Sequence, residues 1–257
     1  GLAGVMAFHL RGALAGADLA SIARLAPGST GAQAAQWVRD ARRIARDAGR
    51  DVTLDDLVAV VAPVDSTSPD DRRVLAVHEA GHAVAGVLAG RALCSISVVA
   101  RADSGGRTTM SGGPSSVFTR ASIDVEIRVL VSGRAAEDVL LGAASMGAEE
   151  DLAVATRLLA AAHASGGLGA DLLHRAPSRD AHALLALDPK LRAAVADDLA
   201  RVYAGAVAMI RRNRAAVAAL ADALIDKRFL DGAEAEAIVR KALAMPRRRA
   251  PKSGRTP

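Results

Sequence analysis

Apolar residues recur every three to four positions along most of this chain, the spacing typical of amphipathic helices. In the first sixty residues the pattern predicts short helices at 17–26, 31–49 and 54–62. Further along it predicts helices at about 120–141, 149–164, 189–213, 214–227 and 232–244. Three of these begin with residues typical of a helix start, namely Thr53, Asp188 before Pro189, and Asp231.

One further predicted helix is apolar on every side. Ser68 is its expected N-cap, Pro69 is its first residue, and Gly90 ends it. Between residues 74 and 89, all but three residues are Ala, Val, Leu or Gly. A helix of that composition is typically buried, so we expect this one to lie inside the fold.

Two short strands are predicted, at 95–100 and 105–113, with a turn at 103–105 between them. Ala, Val and Leu dominate the composition, and only 2% of the residues are aromatic. This composition favours packed helices over a β-sandwich. We therefore expect a mainly α fold with a small β-hairpin or sheet.

The net charge of +5 is confined to the end of the chain. Residues 246–257 contain five Lys or Arg residues and no acid, which equals the whole net charge. Because aromatic side chains for base stacking are nearly absent, the charge gives little support to nucleic-acid binding. Such a basic segment is typical of a solvated, disordered tail.

The sequence lacks the usual signals for a membrane or for secretion. It contains no run of eighteen or more uncharged apolar residues, and its first residues do not resemble a signal peptide. The single cysteine, Cys94, excludes an internal disulfide and fits a reducing compartment. Because the chain begins with Gly1 rather than Met, we expect it to be a piece of a longer protein.

Three residues that carry chemistry interrupt the apolar helix, in the sequence HEAGH at 78–82. His78 and His82 are four residues apart, so their imidazoles project from one helix face and can share a tetrahedral zinc ion. Glu79 projects about 100° around the axis, where it can reach a water at the metal. This is the HExxH pattern of zinc peptidases.

The alternative is a pair of core histidines satisfied by hydrogen bonds alone. Two imidazoles and a carboxylate in a buried helix cost on the order of several kcal/mol unless they are paired or metal-bound, which favours zinc. The extended metzincin pattern is excluded, because its Gly and His positions hold Ala85 and Leu88.

A third zinc ligand is expected from an acidic residue further along the chain. Asp151 lies in the middle of the apolar stripe of the predicted helix 149–164, where an unpaired carboxylate would be buried. Glu137 also shares its face with apolar residues, and it is either the ligand or a residue that orients a ligand imidazole. Periodicity favours Asp151 and leaves Glu137 as the alternative.

The chain resembles the FtsH family of membrane-anchored, ATP-dependent zinc proteases over nearly its whole length. The most specific motifs are HEAGH at 78–82, GRAAEDVLLG at 133–142, GAEEDLAVAT at 147–156 and ALADALIDKRFLDGAEAEAIV at 219–239. The resemblance implies that Asp151 is the third zinc ligand beside His78 and His82. It implies that Glu79 is the catalytic residue. The GGRTT segment, 105–109, resembles the edge strand along which the family lays an extended substrate.

The resemblance also implies a domain organisation. Residues 1–62 would be a helical AAA-type lid, 63–245 a helical zincin-type peptidase domain, and 246–257 a basic disordered tail. In the lid, PGSTGAQ at 27–33 matches the segment that places a Gly-Ala pair against adenine. The chain has no Walker A sequence, so ATP would bind only through a nucleotide-binding core absent from this chain.

The implied function is a zinc metalloendopeptidase that cleaves unfolded or extended proteins and is normally coupled to an AAA ATPase module. The resemblance further implies a homo-oligomer, a hexamer in the family, in the cytoplasm or at the cytoplasmic face of a membrane. Membrane contact would come only from segments not present here. The alternatives are a catalytically idle oligomerisation or binding module of an AAA protease, and a nucleic-acid binder that uses the basic tail.

Overall fold

The computed structural model describes residues 1–26, 28–62, 67–99, 106–112 and 118–245. Its helices are α1 (Leu2–Leu10), α2 (Leu19–Arg24), α3 (Gly31–Asp47), α4 (Leu54–Val61), α5 (Pro69–Leu88), α6 (Arg120–Leu130), α7 (Ser132–Leu140), α8 (Glu149–Ala164), α9 (Pro189–Arg212), α10 (Arg214–Lys227) and α11 (Gly232–Ala244). Its strands are β1 (Ala92–Ser97), β2 (Arg107–Ser111) and β3 (Phe229–Asp231). The mainly α fold class with a small sheet is confirmed. Pro27, the predicted turn at 103–105 and the tail 246–257 lie outside the described residues.

Side-chain caps begin four helices where the sequence predicts them. The capping side chain accepts a hydrogen bond from a backbone N–H two or three residues further on, at Thr53, Ser68, Asp188 and Asp231. Such caps satisfy N–H groups that have no partner inside the helix. At the other end of α5, Gly90 has a φ of 78°, which favours glycine and ends the helix.

The single helix predicted at 120–141 is wrong, because α6 and α7 are separate helices. The Ser132 hydroxyl donates to the carbonyl of Arg128 at 2.6 Å. A hydroxyl bound to the carbonyl four residues back often bends a helix. Beyond the break, α7 packs along α5, and this packing brings the GRAAEDVLLG segment to the HEAGH helix.

Two elements are absent from the sequence predictions, and one strand is displaced. α1 is apolar at nearly every position and so shows no helical period, while β3 has only three residues. The strand predicted at 95–100 is β1, which begins and ends three residues earlier. The sheet order is β2-β1-β3 with antiparallel pairing, so β2 forms one edge of the sheet.

α5 lies at the centre of the larger apolar core. It packs against α7, α10 and β1, and residues Ala76 to Gly86 are all buried, as expected for a helix with no polar side.

A second apolar cluster joins helices α1 to α4 and extends to Val99 and Phe229. Domain boundaries at 62 and 245 stay a prediction. Within the described ranges no helix combines the length and hydropathy needed to cross a bilayer.

Candidate metal centre

His78 and His82 project from the same side of α5, one helical turn apart. Both are buried, with 7% and 9% of their surface exposed. Their ring centroids are 4.7 Å apart and their Nε2 atoms are 3.0 Å apart. The two imidazoles therefore point into the same small volume.

The other nitrogen of each ring is held by an acceptor. His78 Nδ1–H donates to Glu137 Oε1 at 2.6 Å, and His82 Nδ1–H donates to the carbonyl oxygen of Val129 at 2.9 Å. A neutral imidazole with its proton on Nδ1 has a free lone pair on Nε2. When both rings are neutral, both Nε2 lone pairs therefore face the small volume between the rings.

A carboxylate from the first turn of α8 completes this group. Asp151 Oδ2 lies 3.4 Å from His78 Nε2 and 3.2 Å from His82 Nε2. The candidate ligand atoms of the three residues all lie within 4.8 Å of one another. The Asp151 side chain is 22% exposed, more than its apolar stripe predicts, because it lines an open cleft. Glu150, its neighbour, instead forms an exposed ion pair with Arg157 at 2.7 Å.

This donor set fits a zinc ion. Two imidazole nitrogens and one carboxylate oxygen are ligands typical of catalytic zinc, which keeps a further position open. Three acceptor atoms this close together are stable only with a cation or protons among them. Gly133 of α7 provides the space, since a Cβ on this residue would lie 2.6 Å from both Nε2 atoms.

The electrostatics of the group favour positive charge. Burial alone would lower the pKa of His78, but hydrogen bonds to Asp151 and Glu137 outweigh burial and raise this pKa to about 9. Burial would raise the pKa of Asp151, but the two imidazoles outweigh it and lower this pKa to about 2. The carboxylates on the two sides of His78 therefore stabilise positive charge at this ring.

Glu79 lies in the same cleft but outside the converging ligand atoms. It is 7% exposed, and its Oε2 accepts a hydrogen bond from the Thr108 hydroxyl of β2 at 2.6 Å. Gly106 approaches its other oxygen so closely that a Cβ there would lie 2.7 Å from Oε1. Strand β2 thus holds Glu79 at the edge of the metal group.

Glu137 lies behind His78, on the Nδ1 side of the ring. It is fully buried, and its Oε2 accepts a hydrogen bond from the backbone N–H of Ser145. Of the two acids that periodicity left open, only Asp151 is among the candidate ligands on the Nε2 side. The position of Glu137 is typical of a residue that orients a ligand imidazole.

Sequence reasoning assigned no role to three residues of this site, namely Thr108, Gly133 and Ser145. Thr108 lies in GGRTT and Gly133 is the first residue of GRAAEDVLLG, two motifs that carry the family resemblance. The motifs did not indicate that Thr108 contacts Glu79 or that Gly133 lies against the two imidazoles. Ser145 carries no sequence signal. Among the remaining histidines, His163 pairs with Asp198 of α9 at 2.7 Å and takes no part in the group.

A protein-family model matches a long part of this chain that includes the site. Residues 65–238, which are more than half of the chain, match the family model described as peptidase family M41. The matched range includes the HEAGH segment, Glu137 and Asp151.

Curated relatives match most of the chain. ATP-dependent zinc metalloprotease FtsH 2 of Symbiobacterium thermophilum is 31% identical over 240 residues, which cover 86% of this chain and 41% of the relative. ATP-dependent zinc metalloprotease FTSH 6, chloroplastic, of Oryza sativa subsp. japonica is 30% identical over a match that covers 94% of this chain and 39% of the relative. ATP-dependent zinc metalloprotease FtsH 1 of Sorangium cellulosum is 30% identical over a match that covers 91% of this chain and 42% of the relative. The chain thus spans about two fifths of the length of these relatives.

Proposed function

The chain belongs to peptidase family M41, and from this membership we propose that it is the peptidase part of an ATP-driven metalloendopeptidase that cleaves unfolded or extended proteins. Zinc-dependent proteolysis itself is the activity of the family and of the named relatives. The observation that supports the proposal best is the convergence of His78, His82 and Asp151 beside Glu79 in one cleft.

The proposal gives each side chain of the site a separate task. His78, His82 and Asp151 are the zinc ligands, because their free acceptor atoms meet at one point. Glu79 is the catalytic residue, because its carboxylate lies in the cleft without joining that group. Glu137 holds the His78 proton on Nδ1 and keeps the Nε2 lone pair available.

Bound zinc supplies Lewis acidity that polarises a peptide carbonyl and makes water easier to deprotonate. Glu79 accepts the proton of the attacking water at its carboxylate and then donates it to the leaving amide nitrogen. The apolar core behind the site keeps His78, Glu79 and His82 less than a tenth exposed, and this burial strengthens the interaction of their charges.

An extended polypeptide is the proposed substrate, because β2 borders the cleft. Arg107, Thr108 and Met110 line the same cleft as the metal group. Within the described residues, β2 pairs with a strand on one side only. Its outer backbone groups can therefore pair with a peptide, a mode of binding that tolerates many side-chain sequences.

Unfolding of substrates is proposed to depend on an ATPase module outside this chain. The relatives are named ATP-dependent, and this chain matches only about two fifths of their length. Most members of the second apolar cluster lie within residues 1–62, which supports the proposal that these residues are an AAA-type lid. We propose a hexameric homo-oligomer in the cytoplasm or at the cytoplasmic face of a membrane, with ATP and membrane contacts made elsewhere in the protein.

Metal-dependent cleavage of an unfolded protein tests the proposal. The zinc-loaded chain is expected to hold about one zinc per chain and to cleave fluorescently labelled casein without ATP, since an unfolded substrate needs no unfoldase. A chelator should stop cleavage and added zinc should restore it. A chain that takes up no zinc, or a zinc-loaded chain that leaves casein intact, would favour the idle oligomerisation module.

Two isosteric variants separate the proposed ligand Asp151 from the proposed orienting residue Glu137. Asp151→Asn removes a charged ligand oxygen, whereas Glu137→Gln retains an acceptor for His78 Nδ1–H. Loss of an orienting partner lowers metal affinity about 10- to 100-fold. We expect Asp151→Asn to lower zinc affinity about tenfold more than Glu137→Gln does, measured by competition with a chromogenic chelator. The reverse order would exchange the two roles.

A further inference from the structure

A hydrogen bond links the edge strand directly to the proposed catalytic carboxylate. The Thr108 hydroxyl lies 2.6 Å from Glu79 Oε2 and 3.1 Å from the backbone carbonyl oxygen of Glu79. A hydroxyl has one proton to donate, and the closer, charged acceptor forms the stronger bond. The bond to Oε2 therefore dominates, and it joins two residues that are 29 positions apart.

The side chains of β2 alternate between the two faces of the sheet, and only one of these faces contacts Glu79. Gly106, Thr108 and Met110 face α5, where Met110 packs against Gly86 and Gly106 against the Glu79 side chain. Thr109 lines a small cavity on the other face of the sheet, and Arg107 borders both this cavity and the metal cleft. Successive side chains of a strand point to opposite faces, so Thr108 and Thr109 provide one threonine on each face.

Thr108 and Gly106 contact the two oxygens of the Glu79 carboxylate from the strand side. The Glu79 side chain has several rotatable bonds, and Thr108 is the side chain that donates to its carboxylate within the described part of the chain. Gly106 leaves the carboxylate room on the strand side, since a Cβ there would overlap Oε1. Without the hydroxyl, the carboxylate could turn in the cleft and lose its fixed distance to the reacting water.

We propose that Thr108 is a positioning residue for the reaction: its hydroxyl fixes the Glu79 carboxylate and ties it to the strand that borders the substrate. This inference rests on the proposed function, because it assumes that Glu79 is the proton acceptor. Peptide bound along β2 would then meet a carboxylate whose position is set by the same strand.

Kinetics of two variants test this role in the full 257-residue chain with zinc bound and casein as substrate. Thr108→Val keeps the shape and removes the hydroxyl, and we expect kcat to fall about tenfold, the effect of one hydrogen bond to a charged group. KM and zinc content should stay at the wild-type values. Thr108→Ser should restore most of kcat, because serine keeps the hydroxyl.

Several outcomes would overturn the proposal. If Thr108→Val keeps the wild-type kcat, the hydroxyl does not position the base. If Thr108→Val raises KM alone, Thr108 contacts substrate instead. If Thr108→Ser is as impaired as Thr108→Val, the methyl group rather than the hydroxyl matters.

A double-mutant cycle measured by thermal unfolding tests the same hydrogen bond without using activity. In the zinc-loaded chain, Thr108→Val with Glu79→Ala should lower the melting temperature by less than the sum of the two single variants, because either one removes the same bond. Additive shifts would show that the two side chains do not interact and would overturn the proposal. A wild-type chain that cleaves nothing but shows this coupling would contradict the proposed function alone.

Discussion

Glu79→Gln is expected to lose nearly all proteolysis while keeping its zinc. The substitution preserves the size of the side chain, and its carbonyl oxygen can still accept the Thr108 hydrogen bond. It removes the group that accepts a proton from water, and such catalysis contributes about 100- to 10 000-fold to the rate. Turnover of casein, measured beside the zinc content of the same sample, checks both parts of the expectation.

Glu150→Gln is the matched control for this variant. Glu150 lines the same cleft, but its side chain is 80% exposed and its ion-pair partner is Arg157. The same chemical change at this position should leave the rate within about twofold of wild type, since exposed ion pairs contribute little. A Glu79→Gln protein that holds zinc and still cleaves at a tenth of the wild-type rate or faster would remove Glu79 from the mechanism.

Gly133→Ala is expected to destroy zinc binding through a single added methyl group. Its Cβ would lie 2.6 Å from Nε2 of both His78 and His82. These rings cannot easily move aside, because both are buried and their Nδ1 atoms are bound to Glu137 and Val129. We expect zinc affinity to fall by at least about 100-fold, the upper end of the effect of losing an orienting partner. Competition with a chelator measures the change.

Gly205→Ala serves as the control, because it makes the same substitution inside another helix. The nearest atom to a Cβ at position 205 is Arg128 Nε at 3.8 Å, an ordinary contact. Alanine is favoured over glycine in a helix by about 0.5–1 kcal/mol, so this variant should be slightly stabilised and should bind zinc normally. Circular dichroism of the Gly133→Ala chain should show an unchanged helical content. Unaltered zinc affinity in that chain would show that the metal does not lie between the two imidazoles.

Local patterns predicted the elements that support the site better than the contacts within it. The caps at Ser68 and Asp188 depend on residues two or three positions away, and the burial of α5 follows from its apolar composition. These features could therefore be predicted from the sequence. The continuous helix predicted at 120–141 is wrong because the chain leaves the helical conformation between Leu130 and Ser132, and the periodic pattern contains no sign of this break.

The positions of Asp151 and Glu137 show why periodicity alone left open which of the two is the third ligand. Each residue lies on the inner face of its own helix, and a helical wheel contains no distance to another helix. The structure brings Asp151 to the Nε2 side of the imidazoles and Glu137 to the Nδ1 side of His78. The family resemblance implied that Asp151 is the third ligand, but it did not indicate what Glu137 contacts.

The sequence by itself determined that His78 and His82 share a helix face with Glu79 beside them, because the rise and turn of an α-helix fix the relative directions of its side chains. Only the tertiary structure decided that Asp151 meets both Nε2 atoms, that Gly133 leaves them room, and that Thr108 binds Glu79. Those contacts join residues from α5, α7, α8 and β2. Their distances depend on how helices and strand pack, and packing is a property of the whole core rather than of any one segment.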